Sequence, residues 1–171
     1  MLANYVLLDL ETTGATPLKD RITEIALIHF KDGVEVDRWQ TLVNPQTNIP
    51  DFIQSLTGIT NEMVEDAPTF KQVAGELLDY LDDAVMCAHN VRFDHGFLKA
   101  EFKRIGITLK QKVLCTVKLS RKLYPQYKSH GLSAIIERHK FICSQRHRAM
   151  GDVEVMAQLI DLAKRELGLE T

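Results

Sequence analysis

Asp9 and Glu11 stand two residues apart at the end of an apolar run, Tyr5-Val-Leu-Leu-Asp-Leu10. In an extended strand, side chains at i and i+2 leave on the same face, so the two carboxylates are neighbours. Paired acids at the rim of a core repel and are costly to bury unless a cation sits between them. Hard oxygen donors suit Mg²⁺ or Mn²⁺. An isolated Asp-x-Glu also fits a polar strand end facing water. Asp94 follows a second short apolar run, Ala84 to Ala88, and opens the helical stretch Phe93 to Ile105. In open α/β sheets, functional groups gather beyond the carboxyl ends of strands, which would bring Asp94 towards Asp9 and Glu11. Taken singly, it is also an ordinary first-turn acid favoured by the helix dipole. Asp152 stands at the start of the last helical stretch, with His147 just before it. Each acid has a plain explanation by itself. Acids at three junctions between core elements and polar connections make a stronger case together.

At these positions the chain resembles the DnaQ-like DEDDh 3′→5′ exonucleases, the family that includes the proofreading domain of bacterial replicative DNA polymerase. Asp9-Leu-Glu-Thr-Thr-Gly14, His89-Asn-Val-Arg-Phe-Asp94 and His147-Arg-Ala-Met-Gly-Asp152 resemble its three motifs, in order. One subclass has a tyrosine four residues before the last Asp, and the other a histidine five before it. Here position 148 is Arg and position 147 is His, which is similar to the histidine subclass. The resemblance implies a ribonuclease H-like fold and hydrolysis of phosphodiester bonds at single-stranded or frayed 3′ ends, with DNA favoured and nucleoside 5′-monophosphates released. It implies that Asp9, Glu11, Asp94 and Asp152 hold two divalent cations, Mg²⁺ or Mn²⁺, and that His147 is the general base. A histidine's ordinary pKa of about 6.5 suits that task near neutral pH. It further implies that Thr12 lies near the terminal 3′-hydroxyl and that Leu56-Thr-Gly-Ile-Thr60, with Thr57, lines the terminal-nucleotide pocket. Phe93 is placed to pack under a base or ribose, or to be the first core residue of its helix. Many proofreading members have His where this chain has Thr57, and a bulkier residue where it has Ala15.

The elements that must carry these residues follow from periodicity. Tyr5–Leu10 reads as a buried strand and Arg21–Phe30 as a second. Asp32-Gly33 is a hairpin turn, and Val34–Trp39 alternates into Leu42-Val43 before Asn44-Pro45 breaks the pattern. Ile49–Thr60 reads as a turn or two of helix, and Thr69–Leu81 as a helix beginning after Pro68. Ala84–Ala88 is a strand and Val113–Leu123 a strand running into a helix. Helices are expected over Leu132–His139 and over Gly151–Leu167, the latter with Val153, Met156, Ile160, Ala163 and Leu167 as its buried stripe. Strands first, then alternating helices and strands, point to an α/β fold: a mixed central sheet flanked by helices, its first three strands an antiparallel meander. Residues 1–171 are read as a single exonuclease domain.

Composition narrows the class further. Apolar residues make up 45% and charged residues 26% of 171, which excludes disorder and low complexity. No apolar run approaches the ~20 residues of a membrane helix, so no membrane partner is expected. The first residues lack the basic start of a signal peptide. Three widely spaced cysteines argue against a disulfide framework and for a reducing, cytoplasmic setting, and the family resemblance implies a place in DNA replication or repair. The net charge of −2 hides an asymmetry: residues 102–148 hold twelve Lys and Arg against one acid, Glu137. That block is a nucleic-acid surface or a solvated face. Lys118, Arg121 and Lys122 are its foremost candidates for substrate phosphates, with Lys128, Arg146 and Arg148 beside them. Tyr124 and Tyr127 either stack on bases or form a buried turn.

Three rival readings deserve a place. An RNA-directed exoribonuclease of the same family, oligoribonuclease-like or trimming tRNA ends, differs only in reading a 2′-hydroxyl. A non-catalytic nucleic-acid-binding module is opposed by five intact catalytic positions. A zinc-binding interaction module would use His139, Cys143 and His147 with Cys115 or His130, but lacks a short paired motif. A polymerase, or a nuclease domain fused to this one, is a possible partner.

Overall fold

A computed structural model describes residues 3–168; the ends of the 1–171 domain expectation lie outside them. The chain begins with three strands, β1 (Asn4–Thr12), β2 (Ile22–Lys31) and β3 (Val34–Leu42), paired antiparallel as the meander expected from the sequence. Asp32 and Gly33 both take positive φ, 49° and 80°, the two-residue hairpin conformation whose twist matches its strands. Three helices follow, α1 (Asp51–Thr57), α2 (Asn61–Glu65) and α3 (Phe70–Leu81). β4 (Val85–Ala88) then pairs parallel to β1, and after α4 (Val91–Arg104), β5 (Val113–Cys115) pairs parallel to β4. The sheet order is β3-β2-β1-β4-β5. Helices α5 (Thr116–Leu123), α6 (Leu132–His139) and α7 (Ala149–Leu167) complete the chain.

Alternation along β1 sorts the core into two layers. Val6, Leu8 and Leu10 face one side with Ile25 and Leu27, against α3 and α4 through Phe70, Leu77, Phe97, Leu98 and Phe102. Tyr5 and Leu7 face the other with Ala26 and Ile28, against α7 through Val153, Met156 and Leu159. Asp9 and Glu11 continue the odd-numbered row, so they lie on the α7 side. Because β1, β4 and β5 run parallel, their carboxyl ends share one edge of the sheet. That edge receives the amino ends of α4 and α5. No helix among the described residues is long and apolar enough to cross a membrane.

Two expectations change. The segment after Ile49 holds a second helix, α2, started by Thr60, whose hydroxyl accepts from the Met63 N–H at 3.2 Å. A cap residue directly before the helix is the signal that marks it. The last helix begins at Ala149, and its buried stripe is Val153, Val155, Met156, Leu159 and Ala163; Ile160 is half-buried and Leu167 is 44% exposed. The helix packs on β1 and β2, and its buried residues end at Ala163, so the expected stripe runs out of the interface before Leu167.

Candidate active site

Four acids reach the shared sheet edge by three routes. Asp9 pairs with Ala26 and Glu11 with Glu24, which fixes both on one face of β1. The register then slips between Glu11 and Thr12, turning the chain away from the sheet just past the two acids. Asp152 arrives from the first turn of α7, which lies over that face. Ligand oxygens of Asp9, Glu11 and Asp152 all lie within 4.8 Å of one another. Among the described residues this is the set of His, Cys, Asp and Glu whose donor atoms converge in that way, so His139, Cys143 and His147 form no zinc cluster. Asp94 comes from the opposite layer, in the first turn of α4, and is 2% exposed.

The electrostatics of this group are unfavourable without a cation. Burial, then the charges of Asp94, Asp152 and Glu11, hold the Asp9 carboxyl well above its usual range. Burial, followed by Asp152 and Glu24, pushes Glu11 up to about 8, against the pull of Arg146. Asp94 and Asp152 are also raised, each mainly by burial. Asp9 Oδ2 and Asp94 Oδ1 are buried without any hydrogen-bond partner. An unsatisfied buried acceptor costs about 1–3 kcal/mol, and more when charged. Clustered carboxylates with spare oxygens and few donors are the donor set of a hard divalent cation, and the residues present fit one.

The third motif is braced from β2. Glu24, the one acid of β2 and buried there, takes three hydrogen bonds of 2.7–3.2 Å from the Arg148 guanidinium and one of 2.8 Å from the Ala149 N–H. It thereby satisfies a first-turn donor of α7 and neutralises Arg148. Arg148, one of the phosphate candidates, is thus engaged with Glu24. His147, immediately before it, has φ +65°, the left-handed region that costs a non-glycine residue about 1–2 kcal/mol. Such strain persists where the surroundings over-determine it. Arg146 turns onto Asp152, its Nη1 donating to both carboxylate oxygens at 2.9 and 3.0 Å.

The loop after the first motif is equally constrained. Gly14 leaves no room for a Cβ, which would lie 2.5 Å from Asp20 Oδ2. Asp20 accepts from the Thr13 hydroxyl and the Thr16 N–H, and the Thr12 hydroxyl donates to the Gly14 carbonyl at 2.6 Å. The Thr57 hydroxyl donates to the Ile53 carbonyl and accepts from the Ile59 N–H, so it is engaged within its own loop. Phe93 is half-buried, 4.9 Å from Phe97 ring to ring, at the margin of the core. Lys118, Arg121 and Lys122 are exposed on α5, which buries Thr116 and Ser120, and make no ion pair among the described residues. Tyr124 is the buried turn: its hydroxyl donates to Glu166 at 3.0 Å. Tyr127 is open, but Arg138 lies over its ring at 3.8 Å.

Sequence reasoning missed Glu24 and a histidine network. His89 Nε2 donates to the His130 carbonyl at 2.6 Å, so its Nδ1 accepts from the Thr116 hydroxyl at 2.7 Å. Burial pushes His89 down to about 4, keeping it neutral. His130 in turn donates to the Tyr127 carbonyl and accepts from Ser120, tying the end of β4 to α5 and to the loop after it. The signal for Glu24 was a lone acid between the apolar residues Ile22 and Ile25 of a strand. For the network there was none beyond the residue types.

Comparison with known proteins gives a consistent picture. The RNase_T exonuclease family model matches residues 6–160. The chain is 41% identical over 153 residues to the 3'-5' exonuclease DinG of Bacillus subtilis, covering 88% of this chain and 16% of that protein. It is 39% identical over 155 residues to a PolC-type DNA polymerase III of Caldanaerobacter subterraneus subsp. tengcongensis, covering 91% of this chain and 11% of that protein. The chain thus spans only a small part of the length of these curated relatives. Among solved structures, exonuclease X in complex with 5′ overhanging duplex DNA matches with a TM-score of 0.74 and 28% identity, over 96% of this chain and 93% of that one. The nuclease domain of 3'hExo, a DEDDh family member bound to rAMP, matches in fold with a TM-score of 0.82 at 20% identity, over 96% of this chain and 93% of that one.

Proposed function

The chain belongs to the RNase_T exonuclease family, and from that premise we propose that it is a DEDDh exonuclease that hydrolyses DNA from single-stranded or frayed 3′ ends, releasing nucleoside 5′-monophosphates. The observation that carries the reading is the convergence of Asp9, Glu11 and Asp152 within 4.8 Å, with unpartnered buried oxygens on Asp9 and Asp94. DNA is preferred because the DinG and PolC-type relatives are a 3'-5' exonuclease and a DNA polymerase, and exonuclease X was solved on DNA.

Asp9, Glu11, Asp94 and Asp152 would hold two divalent cations, Mg²⁺ or Mn²⁺, which when bound supply an acidified water and positive charge for the departing 3′-oxygen. The protein's own groups do the rest. His147, presented by the strained turn before α7, accepts the proton of the attacking water. Glu24 and Arg148 keep that turn in register with Asp152. The rigid loop after Glu11 offers the Thr12 backbone to the terminal 3′-hydroxyl, and Phe93 supports its ribose or base. Thr57 shapes the neighbouring Leu56–Thr60 loop. Lys118, Arg121 and Lys122 draw in backbone phosphates. We further read the chain as one exonuclease domain serving a polymerase or a fused nuclease partner, acting in the cytoplasm, since its relatives are bacterial proteins several times longer.

The test is degradation of end-labelled DNA and RNA oligonucleotides of one sequence, with each metal and with open or blocked 3′ ends. A ladder shortening from the 3′ end, faster on DNA and halted by the block, is expected. Cutting of circular single strands overturns the exonuclease reading for this chain, and faster loss of RNA overturns the substrate.

A further inference from the structure

Arg146 lies among the very acids that would hold the cations. Its turn has no slack. The Gln145 carbonyl accepts from the Arg148 N–H at 3.4 Å, and Gly151 lies so close to it that a Cβ would stand 2.2 Å away. Arg148 is fastened to Glu24. Between these fixed points the side chains of Arg146 and His147 are the ones left to project. Arg146 uses Nη1 alone on Asp152, while its Nε is buried with no partner. Its side chain keeps 30% exposure against 7% for Asp152. An arginine so poorly served, on a carboxylate grouped with Asp9 and Glu11, is an unusual end point for a purely structural ion pair.

We propose that Arg146 is a displaceable counter-ion of the acidic site, holding Asp152 in the cation-free protein and turning to a backbone phosphate of the substrate once cations are bound. The inference rests on the metal-site reading above and adds a role for a residue outside the five motif positions. The chemistry is one of competition. Both Asp152 oxygens are engaged by one guanidinium nitrogen, and a cation needs at least one of them. Four carboxylates carry four negative charges, which two divalent ions cancel in full. Arg146 then has surplus charge, a planar fork of donors and an open side towards solvent, the attributes with which guanidinium groups bind phosphate. Nucleic acid is the source of that phosphate here, since the site is built to cut it.

The experiment is a manganese titration followed by the electron paramagnetic resonance of free Mn²⁺, on the wild type, Arg146→Met and Arg146→Lys, without nucleic acid. Loss of a charge-assisted pair predicts manganese binding roughly tenfold to a hundredfold tighter in Arg146→Met, with Arg146→Lys between the two. At saturating manganese, the KM for a single-stranded oligothymidylate should move the other way, rising roughly tenfold in Arg146→Met. Tighter metal with weaker substrate is a pair of opposite shifts that a merely structural role does not produce. Equal manganese affinity in all three proteins overturns this inference alone, and Arg146→Lys supplies the comparison should the methionine variant fold poorly. An unchanged KM removes the phosphate half. No manganese on the wild type or either variant sinks the metal-site reading, and this inference with it.

Discussion

Replacing Glu11 by Gln isolates the electrostatic penalty of the cation-free site. Glu11 stands at about 8 in the folded protein against an ordinary 4.5, chiefly because of burial and then Asp152 and Glu24. A carboxyl whose pKa is raised by folding binds more protons in the folded state, so stability falls as pH climbs from the unfolded value to the folded one. Each pH unit well inside that window is worth about 1.4 kcal/mol, and the slope halves as pH reaches the folded value, hence about 2.3 kcal/mol between pH 6 and pH 8. Glu11 is partly open to water, which screens its neighbours and brings the expected loss to about 1–2.3 kcal/mol. For a chain of this length that is roughly 2–9 °C in Tm. In chelator, the Tm of wild type should therefore drop more steeply from pH 6 to pH 8 than that of Glu11→Gln, by this margin. Excess Mn²⁺ should reverse the order at pH 8, because the wild type gains binding energy that the amide cannot collect. Thermal melts followed by far-UV circular dichroism, with chelator and with manganese, measure both. Parallel pH slopes for the two proteins in chelator would refute the picture of a strained, cation-seeking cluster.

Asp152→Asn should abolish turnover with native circular dichroism, whereas His147→Ala should lower kcat roughly 10²–10⁴-fold while still binding manganese; wild-type kinetics in either variant removes that residue from the mechanism. Neutralising Lys118, Arg121 and Lys122 together should weaken binding of single-stranded DNA and reduce the slope of log affinity against log salt by about 2, measured by fluorescence anisotropy across a salt series, and an unchanged slope makes them a solvated face. Glu24→Gln should cost about 1.5–3 kcal/mol in denaturant melts by leaving the half-buried Arg148 without its counter-charge, and a loss under about 0.5 kcal/mol would show that the brace from β2 is dispensable.

The sequence exposed what short-range periodicity encodes. Period-two alternation placed Asp9 and Glu11 on one face, and the Asp32-Gly33 turn set the meander. The positions of Asp94 and Asp152 followed from where apolar runs stop. What stayed hidden depends on pairings across long stretches of chain. Glu24 and Arg148 are 124 residues apart, and no local pattern announces that an acid in a buried strand will hold the turn before the last helix. The same holds for Arg146, which the basic block offered as a candidate for substrate phosphates with no sign of its pairing with Asp152. The buried stripe of α7 was misjudged near its end for a related reason: periodicity gives a face, but the sheet decides how far along the helix that face stays covered.

These hidden pairings explain why the acids can be held together at all. Asp9 and Glu11 come on one strand, Asp94 from the helix layer on one side of the sheet, and Asp152 from the layer on the other. Mutual repulsion alone would drive the two layers apart at this edge. The ion pair of Glu24 with Arg148 fastens the amino end of α7 to β2, and the contact of Arg146 with Asp152 removes part of the charge that opposes closure. One basic residue on each side of His147 thus stabilises the cation-free fold, and the histidine between them is held in a backbone conformation it would not choose alone. Substituting Arg148 should therefore act first on the assembly of the acids, and only through it on the chemistry.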